Sequence, residues 1–398
     1  MQKSNRGLNQ ESIQDINRTL LSNLLRKEGV CARAHLAKLS MLKQATVTNI
    51  INDFIDWGLV KEVGFLIGSK GRRSIGISIN NEDFGVLGIR LARKNYTVGL
   101  FDLSGNLVNY KRTNIRAAQL PREIFDLIID DAKKLVDDSK ERKVIAIGMA
   151  IPGPYSIKRR RIELMTGVTG WNEILIQEEL MAAFNFPVFV EQDANTGALA
   201  QYWHNGDDYK NDVLVYIAVG QGVGAGIINN GELLKGSIGV AGEIGHISIN
   251  YNGSRCSCGN YGCLENYCSS IAFTKEVNNV LKPKTDYTFK EAAQMVKEGQ
   301  KEATEIFLRS CDFLAAGIVN VVNSFNPAMI VIGDEMTHIV PDIMLGRIKE
   351  NVKQRVLPEI YSNMSITMSV VSNDSMVHGA AIVAIKDIYS NPENYFAK

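Results

Sequence analysis

The chain opens with apolar residues at helical spacing, Ile13, Ile16, Leu20 and Leu24, and this period predicts a first helix. Residues 33–39 predict a short second helix, and Ser40-Met41-Leu42 a turn. A third helix follows, with Val47, Ile50, Ile51 and Phe54 on its inner face and Gly58 as its stop. Two short strands come next, at 59–63 and 74–79. The loop between them ends Gly68-Ser69-Lys70-Gly71-Arg72-Arg73. Three helices and a basic-tipped hairpin make a winged helix-turn-helix over residues 1–80. Asn80-Asn81-Glu82-Asp83 is polar and reads as a linker into a second domain, 81–398. There the pattern changes to a strand meander at 86–91, 97–102 and 107–113, with Ser104-Gly105-Asn106 as one turn. A helix from 121 to 138 follows, then an apolar strand at 144–150. Further strands fall at 188–191, 213–219 and 223–228, and a buried-type strand at 329–332 interrupts a mostly helical end. Two such sets predict two α/β lobes around a cleft.

A length of 398 residues allows two or three domains and a large core. No apolar run is long enough to span a bilayer, and the start MQKSNRGLNQESI lacks the apolar core of a signal peptide. A cytoplasmic protein is expected. Charge is uneven: residues 1–73 hold 12 Lys+Arg against 6 Asp+Glu, and the remainder 32 against 37. A basic head on a mildly acidic body points the head at a polyanion. The third helix carries Lys43, Gln44, Thr46, Thr48 and Asn49 outward, groups that bond base edges or phosphates. A plain solvated face would look similar, but helix spacing, charge and the wing favour DNA. Arg33, at the start of the second helix, joins this set. Arg72 and Arg73 on the wing suit a narrow minor groove or phosphates alone.

The richest stretch is 242–265, GEIGHISINYNGSRCSCGNYGCLE. His246, Cys256, Cys258 and Cys263 are the ligand types of a closed tetrahedral zinc site. Glu243 and Glu265 bracket them, and a metal that orders the loop fixes where both acids point. Cys31, Cys268 and Cys311 are scattered, as packing thiols are, although disulfides stay open.

With these residues in place, the chain resembles the ROK family (repressors, open reading frames, kinases) along essentially its whole length. Its sugar-responsive repressor branch, of the xylose- and N-acetylglucosamine-responsive kind, is the nearest likeness. The resemblance rests on Gly245-His246 followed by Cys256-Ser257-Cys258-Gly259-Asn260-Tyr261-Gly262-Cys263-Leu264-Glu265. It implies a two-lobe, actin-like (hexokinase-like) domain behind the winged helix, bound Zn2+, a carbohydrate effector, operator DNA, and a homodimer or homotetramer. It also implies that Glu243, His246 and Glu265 accept sugar hydroxyls. Asp193 matches the catalytic base of kinase members and is read here as a ligand-binding residue, with no catalytic residue assigned. Its neighbour is Gln192 where the family usually has Asn. Pro152-Gly153-Pro154 and Gly170-Trp171 resemble substrate-side loops, but the Asn expected before the latter is missing from residues 165–169.

The nucleotide half departs from the kinases. Where they carry Asp-x-Gly-Gly-Thr, this chain has Arg90-Leu91-Ala92-Arg93-Lys94. The second phosphate loop is Gly220-Gln221-Gly222 without a hydroxyl, and the late loop is Gly333-Asp334. Side chains stand where backbone approaches phosphate. The expectation is a sugar-responsive DNA-binding repressor rather than an enzyme. Two alternatives stay open: a sugar kinase with a fused DNA head, and a DNA-binding protein whose zinc-stapled body only docks other proteins.

Overall fold

A computed structural model describes residues 9–67, 73–116, 119–153, 155–156, 160–162, 170–205, 212–371 and 374–397. Arg72 with the loop 68–72, Pro154 and residues 165–169 lie outside them.

Helix α1 (Gln10–Glu28) starts at Asn9, whose side chain accepts from the Ser12 amide at 2.8 Å. Its buried apolar residues are Leu21 and Leu25, whereas Ile13, Ile16 and Leu20 are exposed. The apolar period marks the helix correctly, but its core contact lies one position further on. Strand β1 (Cys31–Ala32), α2 (Arg33–Ser40) and α3 (Gln44–Asp56) follow. Val47, Ile50, Ile51 and Phe54 of α3 are all buried, as their spacing predicts. Strands β2 (Val60–Ile67) and β3 (Arg73–Ile79) pair antiparallel where the wing is expected, in a sheet ordered β1-β3-β2. The polar stretch after it is a packed joint. Asn80 is buried and its amide donates to the Gly58 carbonyl at 3.0 Å and to Asp83 at 2.8 Å.

The first body sheet takes β4 (Phe84–Leu91), β5 (Asn95–Phe101), β6 (Leu107–Asn114) and, after α4 (Pro121–Asp137), β7 (Lys143–Ile151). A small hairpin, β8 (Tyr155–Ser156) with β9 (Arg161–Ile162), and α5 (Ile176–Phe184) lead to β10 (Val188–Gln192). The order is β10-β7-β4-β5-β6, parallel around β7 and antiparallel through the meander. Helix α6 (Asp193–Asn205) then crosses to the second sheet. That sheet holds β11 (Val213–Val219), β12 (Val223–Asn229), β13 (Glu232–Leu233), β14 (Met329–Gly333) and β15 (Ser365–Met368), in the order β13-β12-β11-β14-β15. Around it pack α7 (Glu265–Cys268), α8 (Ser270–Leu281), α9 (Phe289–Lys297), α10 (Lys301–Phe325), α11 (Pro341–Lys353) and α12 (Pro358–Ser362).

The chain closes with α13 (Ser375–Ser390) and α14 (Glu393–Phe396). Helix α13 packs on α6 and on β4 and β7, while α6 packs on β11 and β12. This helix pair joins the lobes. Gly379 permits the approach, since a Cβ there would strike the Thr196 backbone. The head is fastened to the same helix. Leu21 and Leu25 of α1 share one hydrophobic cluster with Ile385, Ile388 and Tyr389. Ser22 donates to the Tyr389 carbonyl at 2.7 Å and Thr19 to the Ser390 carbonyl at 2.6 Å. These are carbonyls of the last turn of α13, which lack a helical partner. Arg26 lies 3.8 Å over the Trp203 ring of α6.

Candidate functional site

A cleft of about 810 Å³ opens between the lobes, and Gln192, Asp193, Glu243, His246 and Glu265 all line it. Each is placed by an element end. Gln192 closes β10 and Asp193 opens α6, where its Oδ1 accepts from the Ala194 amide at 2.7 Å. Glu243 follows Gly242, whose φ of 95° and closeness to the Ala225 carbonyl leave no room for a side chain. Glu265 begins α7 and accepts from the Val223 amide at 3.0 Å. Burial raises Asp193 to about 6; Arg90 opposes the shift and Asp334 adds to it. Burial, then Asp193 and Glu265, push Glu243 up to about 7. The sequence-predicted sugar set therefore converges.

Gln192 is 6 % exposed, and its amide nitrogen has no partner in the structure. A Cβ on Gly153 would sit 3.1 Å from that nitrogen and 3.2 Å from Glu243 Oε1, so Gly153 closes this corner. Behind it, Glu191 accepts from the backbone N–H of Gln192 at 3.1 Å, from the Asn195 side chain at 3.0 Å and from Lys235 at 2.5 Å. Lys235 reaches across from the segment after β13, a tie that no local sequence signal marks.

The opposite half of the cleft is filled by an ion-pair network. Arg90, at the end of β4, donates to Asp374 at 2.8 Å and to Asp334 at 3.2 Å. The three side chains are 11 %, 6 % and 17 % exposed, so the pairs are largely shielded from water. Although burial opposes it, the two aspartates hold the Arg90 guanidinium charged. Asp334 follows β14 and Asp374 caps α13, so the network bridges the lobes. Arg93 donates to the Gln221 carbonyl at 3.2 Å.

In the loop, His246 Nδ1 lies 3.7 Å from Cys256 Sγ, and the sulfurs of Cys258 and Cys263 are 3.7 Å apart. All four ligand atoms lie within 4.8 Å of one another. A tetrahedral ion with bonds of about 2.0–2.3 Å needs ligand atoms roughly 3.5–3.8 Å apart. The donors thus fit a closed four-coordinate metal ion. Burial first, then Cys258 and Cys256, push the Cys263 thiol up to about 12, a resistance that a cation among the sulfurs removes. Cys31, Cys268 and Cys311 are buried and free.

On the head, Lys43 at the start of α3 and Gln44 and Asn49 within it are exposed, and Thr46 and Thr48 are half-buried; Arg73 is exposed on β3. Arg33 is not brought into this set. It pairs with Glu62 at 2.9 Å and reaches Asn52 at 3.5 Å, because β2 runs beside the start of α2. No helix among the described residues is long and apolar enough to cross a membrane.

Comparison with known proteins agrees with this arrangement. A family model described as ROK family matches residues 86–387. The xylose repressor of Caldicellulosiruptor bescii is 30% identical over 400 residues, covering 97% of this chain and 99% of its own. The Escherichia coli DNA-binding transcriptional dual regulator NagC is 30% identical over 385 residues, with 94% of each chain covered. A crystal structure of a ROK family transcriptional regulator, a homologue of the E. coli MLC protein, superposes with a TM-score of 0.80 at 27% identity, over 95% of this chain and 97% of that one. A ROK family glucokinase from Streptomyces griseus, solved with glucose and AMPPNP, gives a TM-score of 0.66 at 21% identity. It covers 75% of this chain and 98% of its own, which extends the likeness in fold to a kinase.

Proposed function

The chain belongs to the ROK family, and on that footing we propose that it is a sugar-responsive transcriptional repressor, acting in the compartment that holds its operator DNA. The division of the cleft carries this reading. One half gathers Asp193, Glu243, His246 and Glu265; the other is shut by Arg90 between Asp334 and Asp374. Converging carboxylates suit a polyol, because each accepts from adjacent hydroxyls. His246 spends Nδ1 on the metal side and keeps Nε2 for a hydroxyl. Zn2+ is the ion that the Cys₃His set suits, and its part is to hold the loop carrying Glu243 and Glu265. Phosphoryl transfer needs phosphate cradled and magnesium held, and Arg90 stands in that place. A homodimer, or a homotetramer built from it, fits a two-fold operator through two winged heads.

Signal passes through α13. Asp374 at its start holds Arg90, while the carbonyls of its last turn hold α1. Closure of the lobes on a sugar moves one end of a helix whose other end carries the DNA head. A coupling of about 1–3 kcal/mol changes operator affinity roughly 5- to 150-fold.

The test is fluorescence anisotropy of the metal-loaded protein on DNA from upstream of its own gene, with a panel of sugars. Xylose and N-acetylglucosamine come first, since relatives bear those names. Tight binding without sugar and release by one sugar is expected, with Asp193→Ala bound to DNA but deaf to it. Sugar-dependent ATP turnover abolished in Asp193→Asn would replace this reading with a kinase. Sugars without effect, in a body that unfolds on chelation, would leave a docking platform.

A further inference from the structure

Among the helix N-termini that line the cleft are those of α6 and α13, where an anion can dock on free backbone amides. In each, an aspartate already occupies one amide, and a third does so in the turn after β14. Asp193 Oδ1 accepts from the Ala194 amide at 2.7 Å at the start of α6. Asp334 Oδ1 accepts from the Glu335 amide at 2.9 Å at the start of the short helix after β14. Asp374 Oδ1 accepts from the Met376 amide at 3.2 Å at the start of α13. Two amides of the phosphate loop are engaged as well. The Val223 amide goes to Glu265 at 3.0 Å and the Gly220 amide to the Gly222 carbonyl at 3.0 Å.

The cations are engaged in the same manner. Arg90 is divided between Asp334 and Asp374. Arg93 donates to the Gln221 carbonyl, and a Cβ on Gly222 would sit 2.8 Å from Glu265 Oε2 and 3.4 Å from Arg93 Nη2, so this guanidinium lies on the Glu265 side. Arg112 also lines the cleft, but it is exposed on β6, at the rim. Six carboxylates, those of Asp193, Glu243, Glu265, Asp334, Glu335 and Asp374, face these three guanidiniums.

We infer that the cleft selects an uncharged sugar and rejects its phosphate ester: it supplies acceptors for hydroxyls, and its carboxylates outnumber its guanidiniums six to three. The inference rests on the sugar-sensing reading above and narrows it. A phosphate brings nearly two negative charges at neutral pH into a space walled by carboxylates, where each like-charge approach is unfavourable. The effector is then a sugar as it enters the cell by a route that leaves it unmodified, upstream of any phosphorylation.

Isothermal titration of the metal-loaded full-length protein tests this, with xylose, glucose and N-acetylglucosamine against the phosphate monoester of each. One free sugar is expected to bind, and its ester at least ~100-fold more weakly. Asp334→Asn, which removes one carboxylate and half-releases Arg90, should narrow the ratio of free-sugar to ester affinity measured within that variant. An ester that binds as tightly as the free sugar, or more tightly, overturns the inference and leaves sugar sensing intact. If that binding is lost in Arg112→Ala, the rim arginine is the anion site. Failure of every free sugar and every ester to bind overturns both.

Discussion

Arg90 is the residue on which the two halves of the cleft turn. A buried pair loses most when one partner is removed, because the charge left behind has neither water nor counter-ion. Arg90→Met leaves Asp334 and Asp374 facing each other and should cost about 3–5 kcal/mol in urea unfolding. Adding Asp334→Asn and Asp374→Asn to that variant should recover much of the loss. A fall that persists in the triple variant would mean that shape, not charge, is what Arg90 supplies. Asp193 gives a second prediction. Its folded pKa, about 6, lies above the ordinary 3.8. Between about pH 4 and pH 6 the folded state therefore binds more protons than the unfolded one, so stability falls as pH rises through that window and is level above it. Asp193→Asn removes this component. Its melting temperature should depend less on pH across the window and stand above that of the unaltered protein at pH 7.5. At this scale the metal loop was legible, because the four ligands lie within 18 residues and carry a spacing. The partners of Arg90 were not. They lie 244 and 284 residues away, and nothing local in the sequence couples them.

Helix α13 is the element through which the proposed coupling of cleft and DNA head would run. Its N-terminus is capped by Asp374, and its C-terminal carbonyls are satisfied by Ser22 and Thr19 of α1 instead of by water. Each of those bonds contributes about 1 kcal/mol. The double variant Thr19→Val with Ser22→Ala should melt lower by a few degrees and still bind sugar with the same affinity. Its operator affinity with and without sugar should differ less than in the unaltered protein. An undiminished ratio would move the coupling to another contact. Elements were legible where local pattern suffices. Helix α3 shows four apolar residues at one spacing, and β7 is apolar nearly throughout. Strand β15 escaped notice because Ser365–Met368 is short, half-polar and made a strand only by pairing with β14. The joint at Asn80 reads as a linker because a buried asparagine looks like any other until its two acceptors are in place.

At the scale of the whole molecule, charge and linkage make separate demands. The basic head should give operator binding a steep salt dependence, and each phosphate contact contributes about 0.9 to the slope of log affinity against log salt. Lys43→Ala and Arg73→Ala should each lower that slope by about 1 if they touch phosphate, with little change in sequence preference. Arg33→Ala should not, since Glu62 already holds Arg33. Linkage is the stricter demand. If sugar and operator act on one equilibrium between two arrangements of the lobes, the factor by which sugar changes operator affinity must equal the factor by which operator changes sugar affinity. Operator binding by anisotropy, with and without saturating sugar, gives one factor. Sugar binding by calorimetry, with and without saturating operator duplex, gives the other. The two should agree within error at one salt concentration. Both should shrink together in the Thr19→Val, Ser22→Ala variant, because both pass through the same helix. A sugar that displaced DNA by touching the head directly would also satisfy reciprocity, but it would leave that variant's factors unchanged. The pair of measurements therefore separates a lever through α13 from simple competition.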